Sequence, residues 1–385
     1  MATFAILKQR ITMKRKIWTA LLLCVIPAVM WSNDGVVYVN GNQLVPINET
    51  EISIAKEVLT ISIRDDGYAD VDVLYELTNH GKEKTVSMGF EAEAPYNVEA
   101  PFNKEGQHPF IHDFTVTMNG ERLSYKNAII GVDYQKEQDF APLDLKQWQQ
   151  ATDIAEHLVR DAATDSVMPF AYAYYFTAKF KEGRNEVHHT YRYRISYGVW
   201  RAFEIPYWLK PAMRWANHKI DDFTLRIKAE NTAKHFCLND SLFAAAPFKI
   251  ADGKGKMRKV KNDSGESVME VALRDATLEW HAKDFVPSDN LTILAADILY
   301  AGDGKNHLGA FYDRGEHYQL WGLEEQKLNH RIMRNLPYAH RGYVFRDKKL
   351  KAYFEKLWWY MPDPTWQAAT DDFTPRELKW IEQYK

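Results

Sequence analysis

The chain has 385 residues, of which 46% are hydrophobic and 26% charged, with a formal net charge of −3. That is an ordinary globular balance, long enough for two or three domains with a real core, and it excludes a collagen-like, disordered or repeat-only chain. Without residues 1–31, 44 basic face 52 acidic residues, a net charge of −8, which argues against nucleic acid or an anionic membrane as the main partner.

The first stretch reads as a signal peptide over residues 1–31, with Met13 as the true start. Lys14, Arg15 and Lys16 make the positive region, and residues 17–30 make an apolar run broken by Pro27. The run is short for a membrane span, so no span is expected after cleavage. The expected location is outside the cytoplasm: periplasmic, cell-surface or secreted. Of the 2 cysteines, Cys24 lies in the apolar run and Cys237 remains, so an intramolecular disulfide is not available and Cys237 reads as a small buried hydrophobe.

Residues 34–51 form a polar, partly extended lead-in, after which the signal is β. Leu59, Ile61 and Ile63 alternate, Asp65-Asp66-Gly67 turns, and Ala69, Val71, Val73, Tyr75 and Leu77 alternate back. Asp70, Asp72, Glu76 and Thr78 take the other, wet face. A turn at His80-Gly81 precedes a third strand carrying Val86, Met88 and Phe90. Residues 92–111 read as a long loop, and Phe114, Val116 and Met118 lead into Asn119-Gly120, a strong two-residue hairpin turn.

Residues 143–165 break this rhythm: Leu145, Trp148, Ala151, Ala155, Leu158 and Val159 recur at helical spacing, which predicts a helical insertion. β pattern then resumes over 171–180 and 186–197, where Val187, His189, Tyr191 and Tyr193 share one face and His188, Arg192 and Arg194 the other. Further strands are expected around Phe223–Ile227 and at 269–273, 277–281 and 291–295. Short strands with regular turn signals predict a mainly β fold, an antiparallel sandwich-like N-terminal part with the helical insertion, followed by a small α-helical C-terminal domain. The expected division is one β-rich domain, or two, over 34–300, a linker at 301–322 and a helical module at 323–385.

In that module, Leu328, Ile332, Leu336 and Ala339 mark one helix face from near Glu324, with Pro337 a conflict that should kink or shorten the last turn. Gly342 is a left-handed stop. Asp347 is an N-cap for a helix reaching Leu357, and Thr374-Pro375-Arg376-Glu377 is a capping box opening a last helix that should bury Leu378, Ile381 and Trp380.

The stretch RNLPYAHRGYVFRDKKLKAYFEKLWWY resembles the YARHG domain, a small bacterial extracytoplasmic module. Tyr338, Ala339, Gly342, Tyr343, Phe345, Phe354, Trp359 and Tyr360 fall on its pattern. The family order is Arg then His before Gly, whereas this chain has His340 then Arg341. The resemblance implies an exported location and a small helical fold more than an activity. Residues 55–235 resemble, more loosely, an exported bacterial β-domain family of unknown function.

No phosphate loop, nucleophile elbow, zinc-protease motif, paired cysteines or dinucleotide fingerprint occurs, so no catalytic, metal or cofactor residue is assigned. His108 and His112 flank Pro109 and cannot form a helical metal pair. His188 and His189 point to opposite faces, and His189 is expected to be core-facing with a hydrogen-bond partner. His188, Arg192 and Arg194 form a basic stripe, either a solvated face paired with acids or an anion site. The run Lys254, Lys256, Arg258, Lys259, Lys261 reads as a solvated hairpin.

For Tyr338, His340, Arg341, Trp359 and Tyr360 two readings stand side by side. One is packing of a small helical core. The other is a shallow site in which Trp359 and Tyr360 stack on a sugar and Arg341 holds a carboxylate. The leading expectation is a non-enzymatic exported envelope protein contacting a cell-wall polymer or an envelope protein. The alternatives are an envelope hydrolase or accessory domain, with its site in the 92–112 loop and the His188 to Arg194 strand, and a purely structural module.

Overall fold

The computed structural model describes residues 42–46, 51–64, 66–93, 111–131, 143–144, 160–161, 166–167, 170–195, 204–261, 265–295 and 326–385. The expected signal peptide, most of the 92–111 loop, the interior of the 143–165 insertion and the 301–322 linker lie outside them. At the bounds of that insertion, Leu143–Asp144 and Arg160–Asp161 are short strand pairings. Residues Val36–Lys385 fall in one compact unit.

The principal strands are β1 (Asn42–Pro46), β2 (Ile52–Ile63), β3 (Tyr68–Asn79), β4 (Lys84–Glu93), β5 (Ile111–Met118), β6 (Lys126–Gly131), β7 (Phe170–Phe180), β8 (Gly183–Arg194), β9 (Glu204–Tyr207), β10 (Ile220–Asn239), β11 (Lys249–Lys261), β12 (Ser267–Phe285) and β13 (Leu291–Ala295). A small sheet runs β1-β4-β7-β6 and ends on Leu143–Asp144. A large sheet runs β9-β13-β10-β2-β3-β8-β5, with β12 and then β11 attached to β10. The fold is mainly β, as the alternation implies. The large sheet is mixed rather than purely antiparallel, because β2 and β10 pair in parallel.

Alternation places the core. Leu59, Ile61, Val71, Val73, Val187 and Tyr193 are all buried on one face of the large sheet. The small sheet closes over it through aromatic rings: Phe90 of β4 packs on Phe114 at 5.0 Å and on Tyr191 at 4.6 Å between centroids, and Tyr174 of β7 stacks on Phe114 at 4.6 Å. At Asn119-Gly120 both residues have positive φ, 52° and 84°, as a tight hairpin turn requires.

The segments 269–273 and 277–281 are one strand, β12, not two. Asp275 takes a positive φ of 45° in its middle, and the register of β11 shifts opposite it between Ile250 and Lys254. Such a bulge breaks the alternation without ending the strand.

Three helices follow among the described residues: α1 (Gln326–His340), α2 (Lys348–Phe354) and α3 (Pro375–Gln383). Asp347 caps α2 by accepting from the amides of Lys349 and Leu350, both at 3.0 Å. The capping box of α3 forms, with Thr374 N donating to Glu377 Oε2 at 2.8 Å and Glu377 N to Thr374 Oγ1 at 3.3 Å. α2 ends three residues short of the expected Leu357. α3 buries Trp380 as expected, together with Glu377 and the cap residue Tyr384, while Leu378 is exposed and Ile381 half-buried. The helices form a second core that includes Ala272 of β12, so the hairpin β11–β12 is their floor.

Candidate functional site

The C-terminal helices close on a buried ion pair. Arg341 and Glu377 have side chains 6% and 1% exposed. The guanidinium donates through Nη1 to Oε1 at 2.7 Å and through Nη2 to Oε2 at 2.8 Å, a bidentate pair. It also donates to the carbonyls of Asp372, at 2.6 Å, and Pro337, at 3.2 Å, and its carbon lies 4.6 Å from the Phe373 ring centroid.

Pro337, the apparent conflict, has a use. Lacking an N–H, it frees the carbonyl of Met333 inside α1. Trp380 Nε1 donates to that carbonyl at 2.7 Å, so the break in the helix ladder becomes the docking point of α3.

The remaining candidates are also interior. Trp359 is 1% exposed, Tyr360 5% and His340 7%. Trp359 packs on His340 at 4.6 Å and on His235 of β10 at 4.9 Å. Tyr360 donates its hydroxyl to the carbonyl of Tyr343 at 2.5 Å. Tyr338 is half-buried against Phe373 at 4.7 Å. Tyr338, His340, Arg341, Trp359 and Tyr360 therefore do not form the shallow exposed platform that was one of the two expectations. A small helical core needs these large side chains as filling.

The module is clasped to the hairpin. Arg274 of β12, buried, donates to the carbonyl of Met361 and pairs with Asp363 at 3.4 Å. Lys254 of β11 pairs with Asp363 at 2.8 Å, and Lys256 donates to the carbonyl of Tyr360 at 2.8 Å. Arg258 lies 4.5 Å from the Trp358 ring centroid. Hydrogen bonds from Lys254 and from Thr365 hold the Asp363 carboxyl well below its usual range, and desolvation lowers the ammonium of Lys256. The expected solvated hairpin is thus in part a docking surface. Gly342 has φ +83°, and a side chain there would collide with the Arg274 guanidinium and the Met361 carbonyl. The glycine permits both the helix stop and the close approach of β12.

The basic stripe on β8 is paired. His188 Nε2 lies 3.1 Å from Asp72, and Arg192 pairs with Asp66 and with Asp70, at 3.4 Å for the latter. Arg194 is exposed opposite Tyr68. Cys237 is half-buried rather than buried. Among the described residues no group of three or more His, Cys, Asp or Glu could hold a metal ion.

Two features went unread in the sequence. One is the Arg274–Asp363 clasp, which no local pattern signals. The other is Glu57, fully buried on the face of Leu59 and Ile61, where a Glu-x-Leu-x-Ile alternation was the available sign. The β2–β3 register shifts between Ile54 and Lys56, which carries Glu57 to the core side. Burial pushes its carboxyl up to about 8 against weaker opposing hydrogen bonds from Tyr207 and Tyr75. His189 is core-facing as expected, but neither ring nitrogen finds a hydrogen-bond partner among the described residues, and burial lowers it to about 3.

The class defined by this architecture is a mainly β protein whose long hairpin carries a small, internally ion-paired helical domain. Residues 319–385 match the model of the YARHG domain family, so the chain carries a YARHG domain there. A search of curated proteins finds no match. Among solved structures, the chain is similar to a provisionally assigned nutrient binding protein from Legionella pneumophila, with 19% identity, a TM-score of 0.48, and coverage of 92% of this chain and 100% of that one. It is also similar to an M1 zinc metallopeptidase from Deinococcus radiodurans, with 10% identity, a TM-score of 0.24, and coverage of 74% of this chain and 53% of that one. A third similarity is to baculovirus P35, with 10% identity, a TM-score of 0.24, and coverage of 64% and 97%.

Two outcomes follow from this geometry. Gly342→Ala forces both a left-handed alanine and displacement of Arg274, and should cost more than about 1 kcal/mol in urea unfolding. Glu57, with its folded value raised, stays protonated while the unfolded chain ionises, so its contribution is fully present below about 4.5 and is lost as pH rises toward about 8. His189, lowered to about 3, works in the opposite sense from 6.5 downward. The two offset each other between about 4.5 and 6.5, and from about 6.5 to 8 Glu57 acts without that offset. Glu57→Gln should therefore flatten a fall in stability over that upper window, measured by urea unfolding at successive pH values.

Proposed function

We propose that the chain is an exported, non-enzymatic binding or scaffold protein of the cell envelope, with the YARHG domain as a rigid cap fixed to the β-body. YARHG domains are typical of exported proteins, and no helix of the described residues is long and apolar enough to cross a membrane. The observation that carries the cap reading is the bidentate Arg341–Glu377 pair. A guanidinium whose fork is filled by an internal carboxylate has little left for a ligand carboxylate.

A partner, whether a cell-wall polymer or an envelope protein, then meets the outside of the domain. Arg346, Lys348, Lys349, Lys351 and Lys356 are exposed along and beside α2, a basic edge suited to an acidic polymer or protein surface. Binding through such an edge weakens with salt, whereas burial of an aromatic platform would not.

The experiment is a pull-down of residues 32–385 against purified peptidoglycan and envelope extract, beside a Lys348→Glu/Lys349→Glu/Lys351→Glu variant. Binding that is lost in the triple variant and in high salt supports the reading. Binding that survives both, or no binding to either preparation, removes the basic edge as the contact.

A further inference from the structure

The seam between the C-terminal domain and its floor holds two histidines that belong to neither the clasp nor the Arg341–Glu377 pair. His340 ends α1, and His235 lies on β10. Their ring centroids are 4.9 Å apart. Trp359 packs on both rings, at 4.6 Å from His340 and 4.9 Å from His235. Both histidines are buried, His340 at 7% and His235 at 5% exposure. One ring belongs to the domain and the other to the body, so the contact exists only while the two are docked.

In register, His235 stands opposite Ala272 of β12, and Ala272 opposite Lys256 of β11. Directly paired residues share a sheet face, and this is the face on which the domain sits: Ala272 joins the domain's core and Lys256 bonds the Tyr360 carbonyl. The neighbouring rows carry Arg274 with Lys254, and Cys237 with Glu270 and Arg258. From the domain come Asp363 and the Tyr360 hydroxyl, which donates to the Tyr343 carbonyl. Arg341, next to His340, is held by Glu377. β13, which pairs β10 at 236–238, carries no titratable side chain. Both seam carboxylates are occupied: Asp363 by Lys254 and Arg274, and Glu270 by Arg258 at 2.6 Å. Lys256 meets a carbonyl only, and desolvation lowers its ammonium. Among the described residues, the seam therefore holds more cations than anions before either histidine takes a proton.

We propose that the His235–His340 contact is an acid-sensitive latch, which holds the C-terminal domain on its hairpin at neutral pH and releases it as the two imidazoles take up protons. A solvated imidazole gains its proton near pH 6.5. In the docked form two imidazolium ions 4.9 Å apart repel each other and the cations of the floor, and burial withholds the water that screens them. The Trp359 ring attracts a cation, which offsets this for one imidazolium but not the repulsion between two. The docked form thus excludes protons that the released form binds, so docking is fully favoured above about pH 6.5 and weakens as pH falls below it. Two protons taken up on release lower the docking equilibrium by up to about a hundredfold per pH unit, and one proton by up to about tenfold. Release uncovers the floor around Ala272 and the side of Trp359 that faces His235, while the Arg341–Glu377 pair, inside the domain, stays made. The latch is independent of what meets the α2 edge.

The test is amide hydrogen exchange of the purified chain, residues 32–385, followed by mass spectrometry from about pH 7.5 to about pH 5 with rates corrected for intrinsic pH dependence. Protection of segments 356–363 and 268–274 should fall below about pH 6.5, by up to about a hundredfold per unit, and at the acid end the seam should exchange while β2 and β3 remain protected. In His235→Phe/His340→Phe, which keeps two rings and takes no proton, this dependence should vanish; His189 is common to both proteins and drops out of the comparison. His340→Gln alone should leave a fall of about tenfold per unit, and it carries the test if the double variant does not fold. Seam protection that does not fall with pH, an equal fall in either variant, or seam exchange that appears only together with that of β2 and β3 overturns the proposal.

Discussion

Burying a guanidinium is costly unless its donors and its charge are both met, and at Arg341 the C-terminal domain meets them from within. Glu377 takes the fork, and the carbonyls of Asp372 and Pro337 take further donors. This fixes the C-terminal end of α1 to the first turn of α3. The same Glu377 closes the capping box with Thr374, so one carboxylate starts a helix and holds it in place. Losing either partner strands the other as a buried charge, which costs far more than the pair contributes against an apolar replacement. The Trp380 bond to the carbonyl freed by Pro337 lies on the same seam.

A domain of three short helices has little core of its own, and it borrows a floor from the body. Ala272, Arg274, Lys254 and Lys256 belong to one hairpin, and all meet the segment around Met361 or its core. Gly342 sits where α1 ends and Arg274 arrives, so local backbone need and tertiary approach converge on one residue. The aromatic and cationic signature of the motif is therefore better understood as the means by which a small fold stays closed than as an open recognition surface.

Much of the body was legible because a strand with one buried face writes its burial into alternate residues. Leu59 to Ile63, Ala69 to Leu77 and Val187 to Tyr193 read correctly for that reason. The caps at Asp347 and Thr374 were legible because they are local chemistry. What was not legible depends on bulges or distant partners. Asp275 interrupts the period of β12, so one strand read as two. Glu57 shares the alternation of Leu59 and Ile61, but a carboxyl is not a residue type that reads as core. The parallel pairing of β2 with β10 joins segments far apart in sequence. On α3, apolarity pointed to Leu378, Ile381 and Trp380; Trp380 is buried, but the inner face is completed by Glu377, held by Arg341, and by Tyr384, while Leu378 is exposed. At the C-terminal motif, residue types alone fit both packing and sugar recognition, and the two readings differ in the burial they require.

The most direct measurement is a double-mutant cycle on Arg341→Met and Glu377→Leu, with unfolding followed in urea. Each single substitution should cost about 3–5 kcal/mol, and the double substitution clearly less than their sum, because the second removes the charge that the first left stranded. Single changes each costing under about 0.5 kcal/mol, or costs that simply add, would contradict the account: Arg341 would then not be held by Glu377, and its guanidinium would be available to a ligand after all.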